Sequence, residues 1–175
     1  MNSGGSNDIV VTGLKDNYVK CFFEKINSRT GQYNNQGNKL RTYAKIKFHY
    51  KLENYLTSKL SRNMTVEMAK LRTSTHNLLI ETGRYRRPVI PSSERKCKMC
   101  ASGAIEDEIH FVVQCTAYTE MRKRLLKNVA DTKGTDLQKF VEIMTTSDED
   151  VLLMLGKFLL ECCHKRKTSQ NIQLV

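Results

Sequence analysis

The sequence predicts a mainly α fold, a small helical domain with a Cys₃His knuckle, and three observations carry that expectation. Apolar residues recur near helical spacing along much of the chain. Capping signals open two of its later segments. Between these regions, Cys97, Cys100, His110 and Cys115 stand at the spacing of a metal knuckle. A length of 175 residues suits one ordinary domain, or a helical body with a small metal-held appendage.

The elements follow in chain order. Residues 1–37 read as a flexible N-terminal segment: Gly, Ser and Asn fill 1–8, a short helix is expected over 18–26, and 27–38 form a polar, Gly-punctuated connector. Residues 38–93 read as a helical region. Leu40, Tyr43, Ile46 and Phe48, then Leu52, Tyr55, Leu56 and Leu60, predict one or two amphipathic helices. Thr65 is the expected cap of a further helix ending at Arg72, with Val66, Met68 and Ala69 turned inward. Residues 77–82 are open between strand and extended loop, and Pro88 and Pro91 end regular structure after them.

Residues 94–129 read as the knuckle and a following helix over 116–129. Residues 130–175 read as C-terminal helices. One opens with Thr135 and Gln138 at capping-box spacing. The other spans 147–165, with acids after Ser147 in its first turn and Lys165, Arg166 and Lys167 closing it against the helix dipole or serving as a weak nuclear-import patch.

The four candidate ligands form the pattern C-x2-C-x9-H-x4-C. Two thiolates at C-x2-C can turn inward on a tight loop and grip one tetrahedral ion. Glu106, Asp107 and Glu108 precede His110 as acids precede the body of a helix, which explains the latter two without magnesium chemistry. Five residues apart on an ideal helix lie about 140° apart, so Cys115 reaches the ion only if the helix has ended by then. Thiolate plus imidazole in a closed tetrahedron suits Zn2+, and four protein ligands make the site structural rather than catalytic. The competing reading, unrelated thiols, does not account for His and Cys at these spacings.

The chain has 29 Lys and Arg against 18 Asp and Glu, a formal net charge of +11, which favours nucleic acid (RNA or DNA) as partner. Arg84, Arg86, Arg87, Arg95, Lys96 and Lys98 crowd the approach to the cluster, opposed only by Glu94, and Arg122, Lys123, Arg124 and Lys127 follow it. Folded together, the two groups would make one positive face with Tyr85 and Tyr118 for stacking. A solvated charge run is the alternative for both groups. A different class of function, a protein-interaction module, would use Leu152, Leu153, Leu155, Phe158 and Leu159 as a docking face on the last helix.

Other residues carry less. Cys162, Cys163 and His164 are consecutive and cannot converge on one ion, so they read as core. His49 and His76 have no partner at ligand or catalytic spacing, and no carboxylate set converges, so an enzyme is not expected. The cysteine pattern and the lack of a leader-like start suit a reduced intracellular compartment, nuclear or cytoplasmic, and the longest apolar run is too short for a membrane.

A wider pattern adds a family. The segments Asn38-Lys-Leu-Arg-Thr-Tyr43 and Leu78-Leu-Ile-Glu-Thr-Gly-Arg-Tyr85, the cluster with Glu106, Asp107 and Glu108 before His110, and then Tyr118 and Arg122 together resemble the zinc-binding segment C-terminal to the reverse transcriptase of non-LTR retrotransposons. The similarity spans roughly 38–127. It implies zinc on Cys97, Cys100, His110 and Cys115 and a role in holding template RNA or target DNA. Thr116 stands where many members have Pro, and is expected to cap the next helix instead. No Tyr-x-Asp-Asp polymerase motif accompanies the cluster, so the resemblance implies a detached or domesticated element fragment without polymerase activity.

Overall fold

The computed structural model describes residues 5–27, 40–126 and 133–172, with the side chains of 15–26, 40–126 and 133–169. Within them the fold is mainly α, as expected, and no strand forms beyond one isolated bridge. Residues 1–4, most of the polar connector, the end of the helix expected over 116–129, and 173–175 lie outside the described residues.

Helix α1 (Gly5–Asn27) is far longer than the short helix expected over 18–26. Ser6, Asn7 and Asp8, expected to be unstructured, are residue types that suit a first helical turn. Its far end buries Ile26 and sets Tyr18 and Phe22 edge-on to Tyr50, with centroids 5.8 and 5.1 Å apart.

The apolar series from Leu40 to Leu60 yields only two short helices, α2 (Arg41–Ile46) and α3 (Asn54–Thr57). Between them Phe48 and Leu52 are exposed rather than core. Lys47 breaks the helix by turning inward to Glu53 at 2.7 Å and to the Lys51 carbonyl. Glu53 also takes Arg72 and the Tyr43 hydroxyl, so one carboxylate closes the loop onto the next helix.

That helix, α4 (Arg62–Arg72), is capped by Ser61, whose hydroxyl accepts from the Met64 amide at 3.4 Å, and not by Thr65. Met68 and Leu71 are buried, while Val66 is on the exposed side. Residues 77–82, open between strand and loop in the sequence, instead form a single helical turn, α5 (Leu79–Thr82). Its first two amides are held by Glu106: Leu79 N–H to the carboxylate at 2.7 Å and Ile80 N–H to the carbonyl at 3.2 Å. Regular structure then gives way to short turns around Pro88 and Pro91. Gly83 is required here, since a Cβ would lie 2.9 Å from the Arg95 side chain.

After the knuckle come α6 (Thr119–Leu125), α7 (Asp136–Thr145) and α8 (Glu149–Ile172). Thr116 makes no capping hydrogen bond, and a 3₁₀ turn over Thr116–Tyr118 leads into α6. The capping box of Thr135 and Gln138 is formed as the spacing predicts. On α8 the cap is Asp148, which accepts from Asp150 and Val151.

Helix α8 is the centre of the domain and lies against α4 and α6. Leu152, Leu155, Phe158, Leu159 and Cys162 are buried, so the expected docking stripe is interior packing of the chain itself. Cys163 is half-buried and His164 exposed. One apolar core joins the segments that the sequence divides into separate units, from Ile46 through Phe111 and Phe140 to Cys162. None of the described helices is long and apolar enough to cross a membrane.

Helix α8 also continues past the expected end at 165. Arg166 lies inside it, buried, and pairs with both oxygens of Glu106, one at 2.8 Å, while donating to the Asn77 carbonyl. The Lys165, Arg166 and Lys167 run is therefore not a helix terminus. Removing one member of a buried pair strands the other charge at a cost of about 3–5 kcal/mol. Arg166→Met is expected to lower unfolding stability by that amount in urea denaturation. Arg124→Ala, which breaks an exposed pair with Glu161, should cost under about 1 kcal/mol.

Candidate metal centre

The first two ligands lie on a hairpin-like loop. Lys96 and Ile105 form an antiparallel bridge, with Cys97 N–H bonded to the Ala104 carbonyl and Glu106 N–H to the Arg95 carbonyl, each at 2.8 Å. Between these rungs the chain reverses through Gly103 at φ +70, a conformation that suits glycine. The Met99 amide points at Cys97 Sγ from 3.4 Å, and Ser102 Oγ lies 3.1 Å from Cys100 Sγ. Backbone and hydroxyl donors thus face the sulfurs, as thiolates require.

The other two ligands come from one short helical segment. Asp107 caps it, accepting from the His110 amide at 2.8 Å. The turn His110–Gln114 is then a π-helix, closed by the Cys115 amide on the His110 carbonyl at 2.7 Å. The geometry solves the 140° problem in two ways at once. Widening to an i→i+5 turn brings Cys115 beneath His110, and Cys115 itself leaves the helix at φ −57, ψ 119.

The four donor atoms all lie within 4.8 Å of one another. Cys97 Sγ is 3.8 Å from Cys115 Sγ, and Cys100 Sγ is 3.4 Å from His110 Nε2. Bond lengths of about 2.3 Å to sulfur and 2.0–2.1 Å to nitrogen give a tetrahedron edges of about 3.8 and 3.6 Å. The set can hold a metal ion, and four protein donors leave no open position for a substrate. Cys97, His110 and Cys115 are buried and Cys100 half-buried.

Outer contacts orient the donors. Asp136 accepts from the Gln114 amide nitrogen at 2.9 Å, which turns Gln114 Oε1 toward His110 Nδ1 at 3.3 Å. That assigns the proton to Nδ1 and leaves the Nε2 lone pair facing the thiols. Arg122 reaches back to the Val112 and Cys115 carbonyls at 2.8 and 3.0 Å and fixes the exit of the last ligand. Phe111 packs edge-on to Tyr118 at 5.1 Å beneath the site.

Before a metal binds, the thiols differ in acidity. Burial raises Cys97, and burial with the neighbouring thiols pushes Cys115 up to about 12. Burial also opposes ionisation of Cys100, but hydrogen bonds with Ser102, His110 and Cys97 outweigh it and bring that thiol down to about 6.

The three acids before His110 do more than start a helix. Glu106 is the partner of Arg166 already described, and Asp107 is the cap. Glu108 is buried and receives Arg41 at 2.9 and 3.0 Å, Ser74 at 3.0 Å and His76 at 2.8 Å. Burial opposes its charge, yet the His76 hydrogen bond and the Arg41 guanidinium hold its carboxyl at about 2. His76, which has no partner at ligand or catalytic spacing in the sequence, meets a carboxylate 32 residues away. A buried ionic cluster of this kind is invisible to local spacing; three acids beside a ligand pair were its only sign.

The expected positive face is only partly present. Arg95 is 1% exposed and donates to the Ile80 and Ile90 carbonyls. The Arg84 side chain is 7% exposed and pairs with Glu81 at 3.4 Å. With Arg122 clamped on the knuckle, these three arginines hold the fold. Tyr118 is buried and cannot stack on a base. Lys96 and Lys98 are exposed on the loop, and Tyr85, Arg86 and Arg87 are exposed on the segment before it. Lys123 and Arg124 are exposed but pair with Glu120 and Glu161, and Lys127 lies outside the described residues.

No family model, curated protein or solved structure matches the chain. Among the described residues the one convergent group of this kind is the Cys₃His set.

Thiols must lose their protons to ligate. With Cys97 and Cys115 protonated at neutral pH, capture of one ion releases two protons from them, so affinity should rise about a hundredfold per pH unit near 7 and fall away as pH drops. Calorimetry in buffers of different ionisation enthalpy counts those protons; a pH-independent affinity would contradict thiolate ligation. Cys115→Ala should abolish one-to-one metal retention in native mass spectrometry, and chelation should lower the melting temperature of the unsubstituted chain.

Proposed function

We propose that this protein is a zinc-stabilised nucleic-acid-binding module, acting by binding rather than catalysis. The observation that carries it is a Cys₃His donor set whose loop presents exposed Lys96 and Lys98, with exposed Arg86 and Arg87 on the segment that leads into it. Zinc suits the donor set: three thiolates and one imidazole in tetrahedral array favour it over harder or redox-active ions. A structural ion of this type contributes about 10–16 kcal/mol of apparent folding free energy in small finger peptides. Here it would tie the loop at Cys97 and Cys100 to the turn that carries His110 and Cys115.

The net charge of +11 supports a polyanionic partner. The exposed basic side chains around the loop suit phosphate contacts, which give affinity without sequence preference. Under this reading the chain is kin to the zinc-binding segment that follows the reverse transcriptase of non-LTR retrotransposons, which its motifs resemble. A reducing compartment, nuclear or cytoplasmic, would keep the thiols available.

The test is a salt titration of binding to RNA and DNA by the metal-loaded chain. The logarithm of affinity should fall linearly with the logarithm of salt concentration. Combined Arg86→Ala, Arg87→Ala and Lys98→Ala should shallow that slope by about 0.7–0.9 for every phosphate no longer neutralised, while leaving metal content unchanged. Absent or salt-independent binding would reject the reading. Arg95→Ala and Arg122→Ala, by contrast, should act through the fold and lower the melting temperature.

A further inference from the structure

The surface between α2 and α4 carries aromatic side chains that the core does not use. Phe48 is 59% exposed, Tyr50 45% and Tyr18, reaching over from α1, 63%. Tyr50 is edge-on to both Tyr18 and Phe22, with interplanar angles of 76° in each case, so the rings brace one another at the surface. Beside them opens a crevice of about 90 Å³, walled in part by Phe48, Lys51 and Tyr55.

On its 45–62 side the exposed charge of this patch is of one sign, while the α1 stretch that carries Tyr18 mixes exposed Lys15 and Lys20 with Asp16 and Glu24. Lys45, Lys51 and Lys59 are all exposed, and the only acid from 45 to 62 is Glu53. That carboxylate is already engaged by Lys47 and Arg72 and offers no counter-charge at the surface. Exposed rings interleaved, on the 45–62 side, with lysines that meet no free acid of that segment fit a partner with flat apolar faces on an anionic backbone. Protein interfaces deplete lysine from their apolar centres, whereas single-stranded nucleic acid is bound by this combination. Duplex hides its base faces in its own stack and cannot use the rings.

We propose that Tyr18, Phe48 and Tyr50 form a stacking platform for single-stranded nucleic acid, RNA or DNA, with Lys45, Lys51 and Lys59 contacting its phosphates. The inference rests on the nucleic-acid reading above and adds to it a second face, away from the metal loop in sequence, and a preference for the unpaired form.

The chain contains no Trp, so Phe48→Trp places a single indole reporter on the platform. Its fluorescence should be quenched by oligouridine or oligothymidine of about 20 nucleotides and unchanged by a duplex of equal length. Phe48→Ala should weaken single-strand binding about tenfold, with duplex binding within about twofold of the unsubstituted chain. Because Phe48 is a loop side chain outside the core, circular dichroism and metal content should match the unsubstituted protein and exclude unfolding. Absent quenching, or equal weakening for both polymers, overturns the proposal. If combined Arg86→Ala, Arg87→Ala and Lys98→Ala abolishes binding while Phe48→Ala leaves it intact, the platform is wrong and the metal-loop reading stands. If no nucleic acid binds even at low salt, both fail, and self-association removed by Phe48→Ala would identify the patch as a protein interface.

Discussion

Three sulfurs and one imidazole nitrogen meet within 4.8 Å of one another, close enough to share a single ion, and the middle of this protein is arranged around that meeting. Thiolates repel one another and lose hydration on burial, so a cation is what makes such a cluster favourable. The bridge at Lys96 and Ile105 delivers two donors and the turn His110–Gln114 delivers the other two. Neither piece is a stable element by itself: one is a single bridge, the other five residues of widened helix. Each is ordered because the other is present and because both rest on Phe111, Val112 and Tyr118 in the shared core.

A second layer of charge ties the knuckle to the helices. Glu106 and Glu108 flank Asp107, and point respectively to Arg166 on α8 and to Arg41 and His76 in the 40–93 region. Parts of the chain distant in sequence therefore converge on Glu106 and Glu108, either side of the local cap Asp107. Buried pairs of this sort stabilise little compared with apolar packing of equal volume, but mispairing any of them is costly, which gives the arrangement specificity. The same logic explains where several arginines went. Arg84, Arg95 and Arg122 occupy buried or half-buried positions because their guanidinium groups can satisfy several carbonyl and carboxylate acceptors that the short turns leave open.

Much of this was legible in the sequence where chemistry is local. The ligand set was readable from spacing alone, the capping box at Thr135 from three residues, and the helical class from periodicity. What failed was anything decided across the chain. The helix expected through Phe48 stops because Lys47 finds Glu53, and the Leu152 to Leu159 series is core because α4 and α6 cover it. Basic residues were the least readable. A run of Arg and Lys looks the same whether its members face water or a buried acid, and only Arg86, Arg87, Lys96 and Lys98 kept the exposure expected of the first group. Exposed Phe48 misleads for the opposite reason, since it matches a helical core pattern in a stretch that forms no helix there.

The Glu106–Arg166 pair has a consequence for how the polypeptide is made. Sixty residues separate the two partners. A ribosome adding about 5–20 residues per second needs roughly 3–12 s to supply the guanidinium after the carboxylate has emerged. For most of that interval, from Cys115 onward, the nascent knuckle has all four of its donors but carries an unneutralised acid at its base. The ion can be captured early, yet docking of the knuckle onto the helical body must wait for the final helix, which orders assembly from the centre outward.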